Sequence, residues 1–175
     1  MTEYEFTLRF ALPSNEDPSD DLVERLAVAG CDDALVGIGM RGRLAMDFSR
    51  RATSAREAVF GAIADVREAI PDAQIAEVSP DLVGVTDIAD LMGCSRQNIR
   101  RMLVTSRSSS PPPLHEGNPS IWHLAHVLHW LVSEKRYCVN PQLIALAELT
   151  MSVNAAIDAL NTDSATQAEI HALRA

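Results

Sequence analysis

The sequence predicts an α+β protein in three successive parts, and three patterns carry that expectation. Residues 6–12 alternate apolar and polar side chains as a half-buried strand does, and two more strand-like runs follow before residue 50. Residues 85–104 hold two short amphipathic stretches around a glycine. From Leu143 onward, apolar residues recur at helical spacing. The parts are expected at 1–80, 81–136 and 137–175.

In the first part, Phe6, Leu8, Phe10 and Leu12 form the inward row of a strand that Pro13 to Pro18 interrupt. Ser19 caps a helix whose first turn holds Asp20 and Asp21, where the helix dipole favours anions, and Gly30 ends it. Ala34 to Ile38 is a second strand, Gly39-Met40-Arg41-Gly42 a turn, and Leu44, Met46 and Phe48 a third strand, which together predict a hairpin. Ser54-Ala55-Arg56-Glu57 has the spacing of a capping box, and Val59, Phe60, Ile63, Val66 and Ile70 supply the apolar face of the helix behind it. Pro71 stops that helix, and Ala73 to Val78 reads as a fourth strand. The order β-α-β-β-α-β predicts a ferredoxin-like sandwich, with two helices covering one face of an antiparallel sheet.

The chain has a net charge of −9 over 175 residues, which disfavours a polyanionic partner for the molecule as a whole. The distribution is uneven. Residues 1–83 carry 8 basic and 16 acidic side chains, residues 84–136 carry 6 and 4, and residues 137–175 carry 1 and 4. Only the middle part is positive.

That part contains the motif with the most to say. Residues 85–104 read VTDIADLMGCSRQNIRRMLV. A helix-turn-helix needs a small residue where its helices cross, a glycine in the turn, and a branched apolar residue midway along the second helix. Ala89, Gly93 and Ile99 occupy those positions, and Ile88, Met92, Cys94 and Met102 fill the other inward ones. Ser95 stands at the N-cap of the second helix. The outward residues are Ser95, Arg96, Gln97, Arg100 and Arg101, with Asn98 beside them. A recognition helix presents such residues to base edges in the major groove, where arginine pairs with guanine and Gln or Asn with adenine. Arg101 and Arg107 are placed for phosphate contact.

Beyond the motif come Pro111-Pro112-Pro113, Gly117-Asn118-Pro119, Trp122, and a helix with Leu124, Val127, Leu128 and Leu131 on one face. With Ser95 to Ile99 and Val127-Leu128-His129-Trp130-Leu131, residues 84–132 resemble the small winged helix-turn-helix domains of the excisionase and AlpA type, related to the MerR group. Two positions depart from that pattern: a serine precedes the wing prolines instead of an aromatic residue, and His126 replaces the usual acidic residue. The resemblance implies DNA binding and regulation by this part alone.

In the third part Asn140 caps a helix with Pro141 at its first position. Leu143, Leu146, Thr150, Val153, Ile157 and Leu160 then repeat at 3-4 spacing, an a/d seam expected to serve dimerisation. The same seam would also suit packing onto the chain itself. Asn161-Thr162-Asp163 breaks the helix, and Ser164 with Gln167 is the expected cap of a last short one.

Other features point to no reaction. His123, His126 and His129 share one helix without a supporting Cys, Asp or Glu, so no metal or other cofactor is expected. Cys31, Cys94 and Cys138 match neither a disulfide framework nor a zinc site and fit a reduced, cytoplasmic protein. No apolar run reaches the roughly 18 residues of a membrane span. The loop 13–18 is acidic and would repel phosphate, which rules out an anion cradle between the first strand and helix. Arg41, Arg43, Arg50 and Arg51 read as a basic edge or as solvated charges that protect the sheet. No catalytic residues are expected. The expected function is that of a homodimeric, duplex-DNA-binding transcriptional regulator, most simply a repressor. The alternative is an antitoxin or mobile-element accessory protein whose first domain binds a protein partner and whose DNA binding is autoregulatory. An enzyme built on the histidines is a third, weaker reading.

Overall fold

The computed structural model describes residues 1–14, 16, 19–37, 40–106, 109–135 and 137–173. It is a mixed α+β structure. The first half comprises β1 (Thr2–Ala11), α1 (Asp20–Val28), β2 (Ala34–Gly37), β3 (Arg43–Ala52), α2 (Ala55–Ala69) and β4 (Gln74–Ser79). The four strands form one antiparallel sheet in the order β2-β3-β1-β4. Alternation along β1 and β3 sends Tyr4, Phe6, Leu8, Phe10, Leu44, Met46 and Phe48 into a core that Leu22 and Leu26 of α1 and Ala58, Val59, Ala62 and Val66 of α2 complete. Phe6 and Phe48, opposite each other in the register, stack with ring centroids 5.2 Å apart.

The helix starts follow from their caps. Ser19 accepts from the Leu22 N–H and Ser54 from the Glu57 N–H. The return bond of the expected capping box goes elsewhere, because Glu57 Oε2 accepts from the N–H and hydroxyl of Thr53 rather than from Ser54. Phe60 is also not inward: it is 43% exposed, under the Arg56 guanidinium, while Ala58 and Ala62 take the inward positions. Arg50 is not part of a free basic edge either. Its guanidinium binds Asp33, Asp65 and the Gly30 carbonyl, and Arg51 lies against Glu3.

The second half comprises β5 (Leu82–Val83), α3 (Val85–Leu91), α4 (Arg96–Thr105), β6 (Trp122–His123) and α5 (Leu124–Ser133). It has its own core, in which Ile88, Ala89, Ile99 and Leu103 meet Trp122, Leu124, Val127, Leu128, Trp130 and Leu131. Two helices follow, α6 (Pro141–Leu160) and α7 (Ser164–Ala172). Asn140 caps α6 with Pro141 in its first turn; Asp163, not Ser164, caps α7, accepting from the N–H groups of Ala165 and Thr166.

Helix α6 is a wedge between the two cores. Leu146, Leu149 and Val153 pack into the first, and Leu143, Ile144, Ala147 and Met151 into the second. The seam is therefore not a free surface over most of its length: Leu143, Leu146, Thr150 and Val153 are spent within the chain, because one helix closes both cores. Ile157 is half-buried, and Leu160 at 87% exposure stands clear. Contrary to the sequence reading, α6 is also long and apolar enough to cross a membrane by length and composition. Its polar side chains nonetheless tie it to its neighbours. Thr150 Oγ1 donates to the Pro80 carbonyl at 2.6 Å, Asn154 binds the backbone of Val78, and Glu148 binds His129 at 2.7 Å.

Candidate nucleic-acid interface

The candidate site is built on α3, the turn after it, and α4. α3 begins at Gly84, whose N–H donates to Asp87 Oδ2 at 2.7 Å. It ends where Gly93 adopts φ +61°, a left-handed conformation that costs a residue with a Cβ about 1–2 kcal/mol. The chain reverses there: the Gly93 N–H donates to Asp90 and the Cys94 N–H to Ala89. Ser95 then starts α4, its hydroxyl accepting from the Asn98 N–H at 3.2 Å.

The three residues singled out for the crossing are where the spacing puts them. Ala89 and Ile99 are buried and Gly93 makes the turn. Ile88 is fully buried; Met92, Cys94 and Met102 are half-buried against the same core. Leu103 also belongs to that core, one turn beyond Ile99, and the sequence reading passed over it.

Ser95, Arg96, Gln97, Arg100 and Arg101 are exposed together on the first two turns of α4. Among the described residues no carboxylate pairs with any of the three arginines; Arg101 reaches only Asn98 Oδ1, at 3.2 Å. This contrasts with Arg9, Arg25, Arg50 and Arg51 of the sheet half, each of which has a carboxylate within 4 Å. Asn98 departs from the group. It is half-buried, and its Nδ2 points to the Tyr137 hydroxyl at 3.5 Å, while that hydroxyl lies 3.6 Å from the Met102 sulfur. Arg107 lies outside the described residues.

The segment after α4 returns along the site. Trp122 is buried and donates from its indole nitrogen to the Pro111 carbonyl at 3.2 Å. His115 and Ile121 form a bridge that closes a tight loop over Glu116 to Ser120, and β5 pairs with β6. The loop tip carries no lysine or arginine. The Lys135 ammonium sits over the Trp130 ring and reaches Ser106 at the end of α4.

The histidines do not gather. His123 binds Asp81 through Nδ1 at 2.7 Å, His129 binds Glu148, and His126 only abuts His123 edge-on. Asp81 is 2% exposed and is satisfied on both oxygens, by His123 and by Asn154 Nδ2. It fastens β6 and α6 to the end of the sheet, a role with no periodic signature in sequence. Among the described residues no group of three or more His, Cys, Asp or Glu side chains is arranged around a common point for a metal.

No family model matches this chain, and neither a curated protein nor a solved structure matches it.

Proposed function

We propose that this chain is a sequence-specific duplex-DNA-binding regulator in which α3 and α4 act as a helix-turn-helix, with α4 in the major groove. The observation that carries the reading is the coincidence of two facts on one ten-residue helix: an inner face locked by Ile99 and Leu103, and an outer face that holds Gln97 and arginines with no carboxylate partner among the described residues. In an acidic molecule, a basic helix face left without intramolecular ion pairs is available for phosphate and base contact. The loop closed by His115 and Ile121, beside the β5–β6 pair, supports the comparison with a wing, although its tip, which carries Glu116 and no lysine or arginine, supplies shape and little phosphate affinity. The strand order β2-β3-β1-β4 with α1 and α2 over one core supports reading the first half as a ferredoxin-like sandwich.

The reading includes a homodimer, since paired recognition helices reach successive major grooves about 34 Å apart. Its contact is assigned to the end of α6 and to α7. Helix α7 has nine residues and no buried side chain, and a lone helix of that length is marginal in water.

The test is selection and sequencing of bound genomic fragments, followed by titration of Arg96→Ala on the selected site and on random DNA. Base readout predicts a far larger loss on the selected site. Equal losses, or no enriched fragment, would remove the proposal.

A further inference from the structure

One surface of the first half is left uncovered by everything described above. The helices cover one face of the sheet, and the opposite face carries a row that crosses all four strands: Leu35 on β2, Asp47 on β3, Thr7 on β1 and Ser79 on β4, each opposite the next in register. This row is the floor of an open groove of about 690 Å³. Pro80 and Leu91 of α3 close one end, and Leu35 stands at the other. Leu35 is 77% exposed and Leu91 43% exposed.

The groove has a definite chemistry. Glu5, Asp32, Asp33 and Asp47 line it; Arg9 reaches the hydroxyl of Ser79 on its floor at 3.2 Å but is itself paired with Glu77. Asp33 is neutralised by Arg50, and Asp47 accepts a hydrogen bond from Thr7 at 2.6 Å. Glu5, Asp32 and Asp47 have no ionic partner among the described residues. Anionic flanks exclude DNA from this face, and Leu35 and Leu91 place exposed apolar surface at its two ends. Three strand spacings separate Leu35 from Ser79, about 14 Å, with Leu91 beyond. A helix covers that distance in about ten residues.

We propose that this groove docks a cationic amphipathic segment of a partner protein, with apolar residues at its two ends on Leu35 and Leu91 and basic residues between them against Glu5, Asp32 and Asp47. The occupant is not this chain's own α4, whose Ile99 and Leu103 are buried in their own core and cannot meet the leucines. Because Leu91 belongs to α3, a docked segment would touch both halves of the molecule. The proposal stands apart from DNA binding and is tested without DNA.

The probe is a Leu/Lys peptide of about 18 residues that places leucines near both ends and lysines between them on one helical face, titrated onto the full chain by fluorescence anisotropy. A Leu/Glu and a Ser/Lys version serve as controls. Only the Leu/Lys peptide should bind. Leu35→Ser and Asp47→Lys should each weaken it at least about tenfold, while Asp158→Lys with Glu169→Lys, twice the charge change of Asp47→Lys but on the distant helices, should leave it within about twofold. Circular dichroism of each variant checks the fold. Equal weakening by the distant pair would mean binding by net charge alone and would overturn the proposal. So would indifference to Leu35→Ser, or a wild-type dimer that Leu35→Ser converts to monomer, since the groove would then hold a second copy.

Discussion

Asn154, in the second half of α6, holds Val78 of β4 by both ends of its carboxamide: Oδ1 accepts the Val78 N–H and Nδ2 donates to the Val78 carbonyl, each at 2.8 Å. One side chain thus pairs with a strand residue as a neighbouring strand would, and it blunts the β4 edge of the sheet. Asn154→Ala leaves both backbone groups of a buried residue, and one oxygen of Asp81, without these partners. Urea denaturation should show a loss of about 1–3 kcal/mol, by the cost of unmet buried hydrogen bonds. A loss below about 0.5 kcal/mol, the scale of ordinary surface substitutions, would mean that α6 is not fastened here.

The dimer assigned to α6 and α7 gives a different expectation from removal of the whole third part. Deleting α6 would open both cores, so it cannot report on association. Leu160→Asp with Leu173→Asp touches only side chains that are each 87% exposed. Sedimentation velocity should show a dimer for the wild type and a monomer with unchanged unfolding temperature for the double variant. A wild-type monomer would refute the dimer, and a double variant that stays dimeric would place its contact elsewhere.

The sheet was legible because a period of two has one meaning when one face is buried. The α6 seam was harder. Spacing of Leu143, Leu146, Thr150 and Val153 says that one face is covered and nothing about what covers it; here the chain's own two cores do. Thr150, which interrupts the apolar series, is the residue that ties the helix to Pro80. The turn at Gly93 and the cap at Ser95 were readable because each satisfies a local backbone need. Asn98 was misplaced because its partner, Tyr137, lies 39 residues away and no local rule connects them. Phe60 fitted the helical period, but the period cannot register that a neighbouring Arg56 shields the ring instead of the core.

Cys31 and Cys138 should separate cleanly by reactivity. Burial, and next the Asp65 carboxylate, push the Cys31 thiol up to about 11 from the ordinary 9.0, whereas Cys138 is exposed. At pH 8, iodoacetamide should label Cys138 rapidly and Cys31 only after unfolding. The same shift sets a pH dependence of stability. The folded thiol keeps its proton between 9.0 and about 11 while the unfolded one releases it, so the contribution is complete below 9.0 and declines as pH rises through that window. Urea midpoints of wild type should fall more steeply from pH 8 to 10.5 than those of Cys31→Ala, and parallel curves would contradict the assignment.

Gln97 and Asn98 are adjacent in sequence and chemically alike, yet their surroundings assign them different work. Gln97 is exposed beside Arg96, with nothing in the chain engaging it among the described residues. Asn98 faces Tyr137 and steadies Arg101, so under the proposed function its effect on DNA would run through the position of α4. Gln97→Ala should therefore relax the preference for particular bases, at about 1–3 kcal/mol for the adenine pair it can form. Asn98→Ala should weaken selected and random DNA by similar factors and lower the unfolding temperature. Tyr137→Phe should reproduce the Asn98→Ala effect, and the two changes together should cost less than their sum, as coupled neighbours do. If Asn98→Ala instead altered base preference without loss of stability, the side chain would have to leave Tyr137 on binding, and the rigid placement of α4 described here would be wrong.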